Sequence, residues 1–146
     1  MTVLEVGLIS EGLPVIKRDY QELAGVKVDP VIKSGLFSAI NAFTREVFGD
    51  STEELKLKKF VISIRPVEMG EGSLFLYAIS DKASKSKPVA DALEKLSLKI
   101  AVAIKESSLR VNSVDPSSFE SFALVIDEEM KDLRLRPADR AKKLFG

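Results

Sequence analysis

The stretch FVISIRPVEMGEGSLFLYAISDKASKSKPVADALEKLSLKI, from Phe60 to Ile100, carries most of the information about the fold. Two apolar segments of strand length, FVISIRPVE and SLFLYAIS, flank the glycines of MGEGS. A helical pattern follows, with Val89, Leu93, Leu96, Ile100 and Ile104 on one stripe. Because a strand and not a helix follows these glycines, they predict a hairpin turn rather than a phosphate-binding loop. An antiparallel hairpin that leads into an amphipathic helix indicates an α+β fold.

The polar corner between the last strand and this helix allows two interpretations. Lys82, Lys85 and Lys87 surround a helix start, which attracts anions weakly. Alternatively, the short polar residues bond to nearby backbone groups and form a turn. Turn chemistry accounts for every residue of the corner, and whether the three lysines bind an anion stays open.

Two strands and a helix are predicted before this stretch. Val3–Ser10 is apolar on both faces and is expected to be central, whereas the charges of Leu13–Tyr20 favour an edge strand. Asp29 and a following proline form a strong helix start, and Gly49 supplies a left-handed stop after Phe48. The helix is therefore expected to span residues 30–48.

This helix has two distinct faces in the predicted periodicity. An apolar stripe is expected to face the core; its members are Ile32, Leu36, Ala39, Ile40, Phe43 and Val47. A semi-polar flank is offset by roughly 100° around the helix; it consists of Phe37, Asn41, Thr44 and Phe48.

The remaining elements complete a β-β-α-β-β-β-α-α order in a single domain, residues 1–146. Glu54–Phe60 is a short, lysine-rich edge strand, but no turn signal shows whether residues 54–68 form one strand or two. A third helix is opened by Asp115 and ended by Pro137; its apolar stripe is Phe119, Phe122, Ile126, Met130 and Leu133. The sequence thus predicts a five-stranded antiparallel sheet with one helix on one face and two on the other.

Composition excludes several classes of function. The 22 basic and 22 acidic residues cancel, which disfavours nucleic acid as a partner. Without histidine or cysteine the chain cannot form a Ser-His-Asp triad, a cysteine nucleophile or a nitrogen-and-sulfur zinc site. We expect no signal peptide from the first residues MTVLEVGLIS, and no apolar run approaches the roughly 20 residues of a membrane span. We expect a cytoplasmic protein without catalytic residues, cofactor or metal, of heat-adapted composition.

The acidic run Asp127, Glu128 and Glu129 is the one sequence feature that suggests a magnesium site. Consecutive helical residues point about 100° apart, so three carboxylates in a row do not converge on one ion. The run is therefore interpreted as a solvated helix face.

On the stretch from Phe60 to Ile100 and the preceding helix DPVIKSGLFSAINAFTREVFG, the chain resembles the longin domain, a relative of the roadblock fold. Roadblock domains begin with a helix, whereas this chain begins with a strand, which favours the longin plan. The resemblance implies a platform that dimerises or sits in a larger trafficking or polarity assembly, with a small GTPase as a partner and any membrane association made through that partner. No SNARE helix follows, so membrane fusion is not expected.

A partner surface is predicted on the semi-polar flank of the first helix, with a neighbouring edge strand. The residues are Phe37, Asn41, Thr44 and Phe48, together with Lys56 and Lys58. Exposed aromatic residues beside polar ones are typical of interface anchors. The alternative is that both phenylalanines complete the core. Two other functions stay open: a small-ligand-binding sensor domain, and an enzyme that uses carboxylates or lysines.

Overall fold

The computed structural model of the protein describes residues 3–20, 29–68, 74–82, 86–107 and 121–133. In chain order the elements are β1 (Val3–Ser10), β2 (Leu13–Asp19), α1 (Pro30–Phe48), β3 (Glu54–Lys56), β4 (Phe60–Pro66), β5 (Leu74–Asp81), α2 (Lys87–Ser107) and α3 (Phe122–Met130). The predicted α+β class with a five-stranded antiparallel sheet is confirmed, and residues 54–68 form two strands.

The sheet has the strand order β2-β1-β5-β4-β3, and each neighbouring pair is antiparallel. Every residue of the inner strand β1 is buried, as are all residues of the neighbouring middle strand β5 except the last. In the register of this pair, Val6 lies opposite Ala78 and Gly7 opposite Tyr77. Because successive side chains point to opposite faces, the two central strands supply apolar residues to two separate layers.

The larger hydrophobic cluster joins one side of the central strands to α2 and α3. It includes Val6 and Leu8 of β1 and Leu76 of β5. The helices add Val89, Leu93, Leu96, Ile100 and Ile104 from α2, and Phe122, Ile126 and Met130 from α3. The helical periodicity predicted for these two helices therefore matches the side that packs against the sheet.

The smaller cluster lies on the other face of the sheet. It contains the alternate side chains of the same strands, residues of β4 and a single buried residue from α1. That residue is Phe37, which packs among Ile9, Ile62, Ile64, Phe75, Tyr77 and Ile79. Ile9 and Leu8 are neighbours in β1 but belong to different clusters, as the alternation of strand side chains requires.

Helix α1 begins and ends where the sequence predicts. The Asp29 carboxylate accepts a hydrogen bond from the Val31 amide at 2.8 Å, and Pro30 occupies the first turn. At the other end, Gly49 has φ 65° and its amide donates to the Arg45 carbonyl at 2.9 Å. Both ends are thus fixed by local chemistry.

The predicted orientation of α1 about its own axis is wrong. The stripe expected in the core points to solvent, with exposures of 67% for Ile32, 56% for Leu36, 61% for Phe43 and 55% for Val47. Ala39 is also exposed and Ile40 is half-buried. The residues that are buried instead are Lys33, Ser34 and Phe37. The helix is therefore rotated by roughly 120° relative to the prediction, at 3.6 residues per turn.

Several sequence predictions fall outside the described residues. These are the glycine turn at 69–73, corner residues 83–85 with Lys85, and the predicted start of the third helix at Asp115 with Phe119. Lys82 and Lys87 are described and exposed. Among the described helices, none combines the length and the apolar character that a membrane span requires.

Candidate functional site

A buried ion pair fixes the side of α1 that faces the sheet. The Lys33 ammonium donates to both carboxylate oxygens of Glu5, at 2.7 Å to Oε1 and 2.6 Å to Oε2. Glu5 stands in the middle of β1 with 2% of its side chain exposed, and the Lys33 side chain is 9% exposed. A charge removed from water needs a partner of opposite sign. Here Lys33 is that partner for Glu5, and Glu5 is that partner for Lys33.

Tyr77 completes this cluster from the neighbouring strand β5. Its hydroxyl donates to Glu5 Oε2 at 2.5 Å. Burial, together with the bond to Glu5, raises the pKa of Tyr77 far above its ordinary value, so the phenol stays protonated and keeps donating. Gly7 makes room for the ring, since a Cβ at this position would lie 2.3 Å from a ring carbon of Tyr77.

The same side of α1 makes specific contacts further along the helix. The rings of Phe37 and Tyr77 meet edge to face, with centroids 5.1 Å apart and an interplanar angle of 63°. The Thr44 and Thr52 hydroxyls are hydrogen-bonded at 2.8 Å, and the Thr52 amide donates to the Asn41 side-chain oxygen at 3.3 Å. These contacts run from the second turn of α1 to its fourth and oppose rotation of the helix.

The cluster of Glu5, Lys33 and Tyr77 is built to position α1. Its charged and polar atoms are directed at one another, and the side chains of the ion pair are nearly closed to solvent. A catalytic carboxylate or lysine would have to reach a substrate atom within hydrogen-bonding distance. In this arrangement the two charges are used to hold helix and sheet together.

The exposed side of α1 is the feature that carries functional interest, and we call it the outer face. It consists of Ile32, Leu36, Ala39, Phe43 and Val47, each exposed and separated by three or four residues. Residues at this spacing form one continuous row along a helix. Monomeric proteins rarely leave a long contiguous apolar row in water, and such rows mark contact sites.

The structure separates the residues of the predicted partner surface. Phe37 is only 3% exposed, so its predicted place on an exposed surface is wrong, because its ring fills the core against Tyr77. Asn41 and Thr44 are half-buried and hydrogen-bonded to Thr52.

The other three residues of that surface are exposed. Phe48 ends α1 with 73% exposure. Lys56 in β3 and Lys58 after it are open to solvent, and Lys56 lies 3.8 Å from Glu54. Contact of these three residues with a partner stays a prediction.

The acidic run of α3 makes ion pairs that differ from residue to residue. Asp127 accepts two hydrogen bonds from Arg18, at 2.8 and 3.1 Å, and this bonding raises the pKa of the guanidinium. Glu129 pairs with Lys99 of α2, whereas Glu128 is exposed and lies 3.4 Å from Lys131. The interpretation as a solvated face therefore fits Glu128 and is wrong for the other two, which link α3 to β2 and α2.

Two further features bear on ligand binding. Among the described residues, no group of three or more carboxylates is placed to hold a metal ion. A shallow depression, open to solvent, lies beside α1; it is lined by Ser38, Asn41, Ala42, Arg45, Glu46 and Phe75. Its residues do not enclose a ligand from several sides, as small-molecule sites usually do.

Sequence reasoning missed the Glu5–Lys33 pair and hence the orientation of α1, although one signal was present. Glu5 is the only charged residue in the strand VLEVGLIS, whose other residues are suited to burial. A carboxylate in a fully buried strand requires a cationic partner on a neighbouring element. Lys33, in the first turn of α1, is a cation on a neighbouring element and is suited to that role.

Neither a family model nor a curated protein matches this sequence. The resemblance to longin domains stays an expectation from the sequence.

Proposed function

We propose that this protein is a non-enzymatic interaction module and that the outer face of α1 is its contact surface. One observation carries the proposal. Four large apolar residues of one helix, each more than half exposed, stand in a row, while the opposite side of that helix is fixed to the sheet by a buried ion pair. Full burial of such a side chain contributes about 1.5–3 kcal/mol, so covering the row is strongly favourable.

The proposal includes a setting that the longin resemblance suggests. The protein acts as a dimeric platform or subunit of a cytoplasmic trafficking assembly that regulates a small GTPase, and it reaches a membrane only through its partner. The balanced charge of the chain supports a protein partner over nucleic acid. Phe48, Lys56 and Lys58 extend the contact surface beyond the outer face.

A photoreactive residue placed on the outer face tests the module. A benzoyl-phenylalanine at position 43 should give a crosslinked product of discrete mass in cells of the natural source, and Leu36→Glu should remove it. The matched control is the same probe at Leu98 of α2, which is 60% exposed but outside the outer face. Equal products from both positions, or none from position 43, would contradict the proposal.

Nucleotide dependence tests the GTPase part separately. Capture on the tagged chain is compared in GDP and in a non-hydrolysable GTP analogue. A GTPase partner should be retained in one nucleotide state over the other, because the switch segments of such proteins change with the nucleotide. A captured set that is the same in both states would remove the GTPase from the proposal and leave the contact surface in place.

A small-ligand sensor is the second candidate; the depression beside α1 is open, but the charged side chains at its rim favour this candidate. Arg45 and Glu46 at its rim could orient a small polar ligand. A metabolite that binds there should raise the melting temperature with increasing dose, and Arg45→Ala should abolish the shift. A screen without any dose-dependent shift would rule this candidate out.

A further inference from the structure

We infer that the outer face of α1 binds the outer face of a second copy, as an antiparallel helix pair. This inference rests on the proposed function and names the partner of the same surface. It is based on the spacing of the outer-face residues, which is symmetric about the middle of α1, and on the position of Glu46 beside the outer face.

The outer face reads the same from either end of the helix. Ile32 and Val47 are equally far from the helix midpoint, between residues 39 and 40, and so are Leu36 and Phe43. In an antiparallel pair centred there, Ile32 of each copy meets the partner's Val47, and Leu36 meets the partner's Phe43. A two-fold interface requires this kind of self-complementarity, because every contact occurs twice.

The residue at the centre of the pair is small. Ala39 lies beside the midpoint, and it is the small member of the outer face. Small side chains at a crossing point allow two helices to approach to the short end of the usual 8–10 Å interaxial range. The larger residues then interdigitate on both sides of the crossing, as ridges pack into grooves.

Charge favours the antiparallel direction over the parallel one. Glu46 is the charged residue nearest the row on its outer flank. In a parallel pair the two Glu46 carboxylates would lie side by side and repel one another. In the antiparallel pair they are about 20 Å apart along the axis, at 1.5 Å per residue, and the helix dipoles are opposed.

The area is sufficient for an interface at the lower end of the usual range. With roughly 100 Å² exposed on each of the four large residues, and the flanks in addition, two copies would bury about 1,000–1,200 Å². That range suits a reversible dimer that forms at micromolar concentration or above. The apolar centre and polar rim match the usual anatomy of such contacts.

Engineered cysteines give a direct test, since the natural chain has none. Under mild oxidation Ala39→Cys should form a disulfide-linked dimer, because position 39 lies next to the two-fold axis. Ile32→Cys alone should not, since its two copies are about 22 Å apart along the axis, at 1.5 Å per residue, and a disulfide needs Cα atoms within about 7 Å. A mixture of Ile32→Cys with Val47→Cys should crosslink.

Each outcome decides the inference. Self-crosslinking of Ile32→Cys would indicate a parallel pair and overturn it, as would equal yields from Ala39→Cys and from Leu98→Cys on α2. Light scattering of the purified chain should show a dimer, and Leu36→Glu should weaken dimerisation by at least about a hundredfold, because each interface would contain two charges facing apolar side chains.

Failure of this inference is distinguishable from failure of the proposed function. A chain that stays monomeric at high concentration, and whose position-43 probe still crosslinks to a different protein, overturns the second-copy assignment and retains the contact surface. A monomer whose position-43 probe gives no product overturns both.

Discussion

Replacement of Lys33 by methionine tests the view that a buried ion pair holds α1 in place. The change removes the ammonium but keeps a side chain of similar length, so packing is nearly preserved. Glu5 then keeps only the Tyr77 hydroxyl as a described partner, at 2.5 Å, while 2% of its side chain is exposed. Removing one member of a buried pair lowers stability by about 3–5 kcal/mol, and we expect Lys33→Met to lower the free energy of unfolding by that amount.

The double variant distinguishes a buried charge from simple loss of contact. Glu5→Leu with Lys33→Met replaces both charges by apolar groups, an exchange that is often neutral or stabilising. We therefore expect the double variant to be more stable than Lys33→Met alone by at least about 2 kcal/mol. The coupling energy comes from the double-mutant cycle.

Urea unfolding followed by circular dichroism measures these differences, with the slope compared between variants to confirm a common two-state transition. Lys56→Met is the control, because the Lys56 side chain is 70% exposed and lies 3.8 Å from Glu54. An exposed pair contributes about 0–1 kcal/mol. If Lys33→Met costs no more than this control, or if the double variant loses the sum of both single changes, the positioning role of the pair is refuted.

Three further predictions concern the same framework. Gly7→Ala should lower the free energy of unfolding in urea by at least about 1–3 kcal/mol, because the added Cβ would lie 2.3 Å from the Tyr77 ring. Gly35→Ala is the contrasting change, because no atom lies within 4 Å of the added Cβ, and it should stabilise α1 by up to about 1 kcal/mol. The pKa of Tyr77 is raised in the folded state, so the phenol contributes its full share of stability below pH ~10. Above that pH the free energy of unfolding should fall by about 1.4 kcal/mol per pH unit, as the unfolded chain loses the phenol proton first. Tyr77→Phe should remove this dependence of stability on pH. Asp127→Asn should weaken the two bonds from the partly exposed Arg18 and lower the unfolding free energy by about 1 kcal/mol, with less effect at high salt.

Sequence periodicity predicted the elements well because it reports local properties. Caps and glycines fixed the ends of α1, and the stripes of α2 and α3 indicated the side that packs on the sheet. For α1 the same rule gave the wrong side, because it assumes that the core of the chain is the only apolar environment available to a helix. A row of apolar residues satisfies that rule equally well when its partner is another molecule.

The site was predicted only in part for a related reason. Phe48, Lys56 in β3 and Lys58 after it are exposed as expected. Phe37 instead lies on the side of α1 that Lys33 draws toward Glu5. Glu5 and Lys33 are 28 residues apart in the chain, and no local pattern encodes their pairing.

The buried pair and the exposed row are two parts of one arrangement. If α1 turned its apolar row toward the sheet, part of that surface would be buried, but Phe37 would leave the core and Glu5 would stay in β1 without its cation. An unpaired buried carboxylate is among the most costly features a fold can contain. The pair therefore selects the orientation of α1 that leaves Leu36 and Phe43 in solvent, where the proposed second copy would cover them.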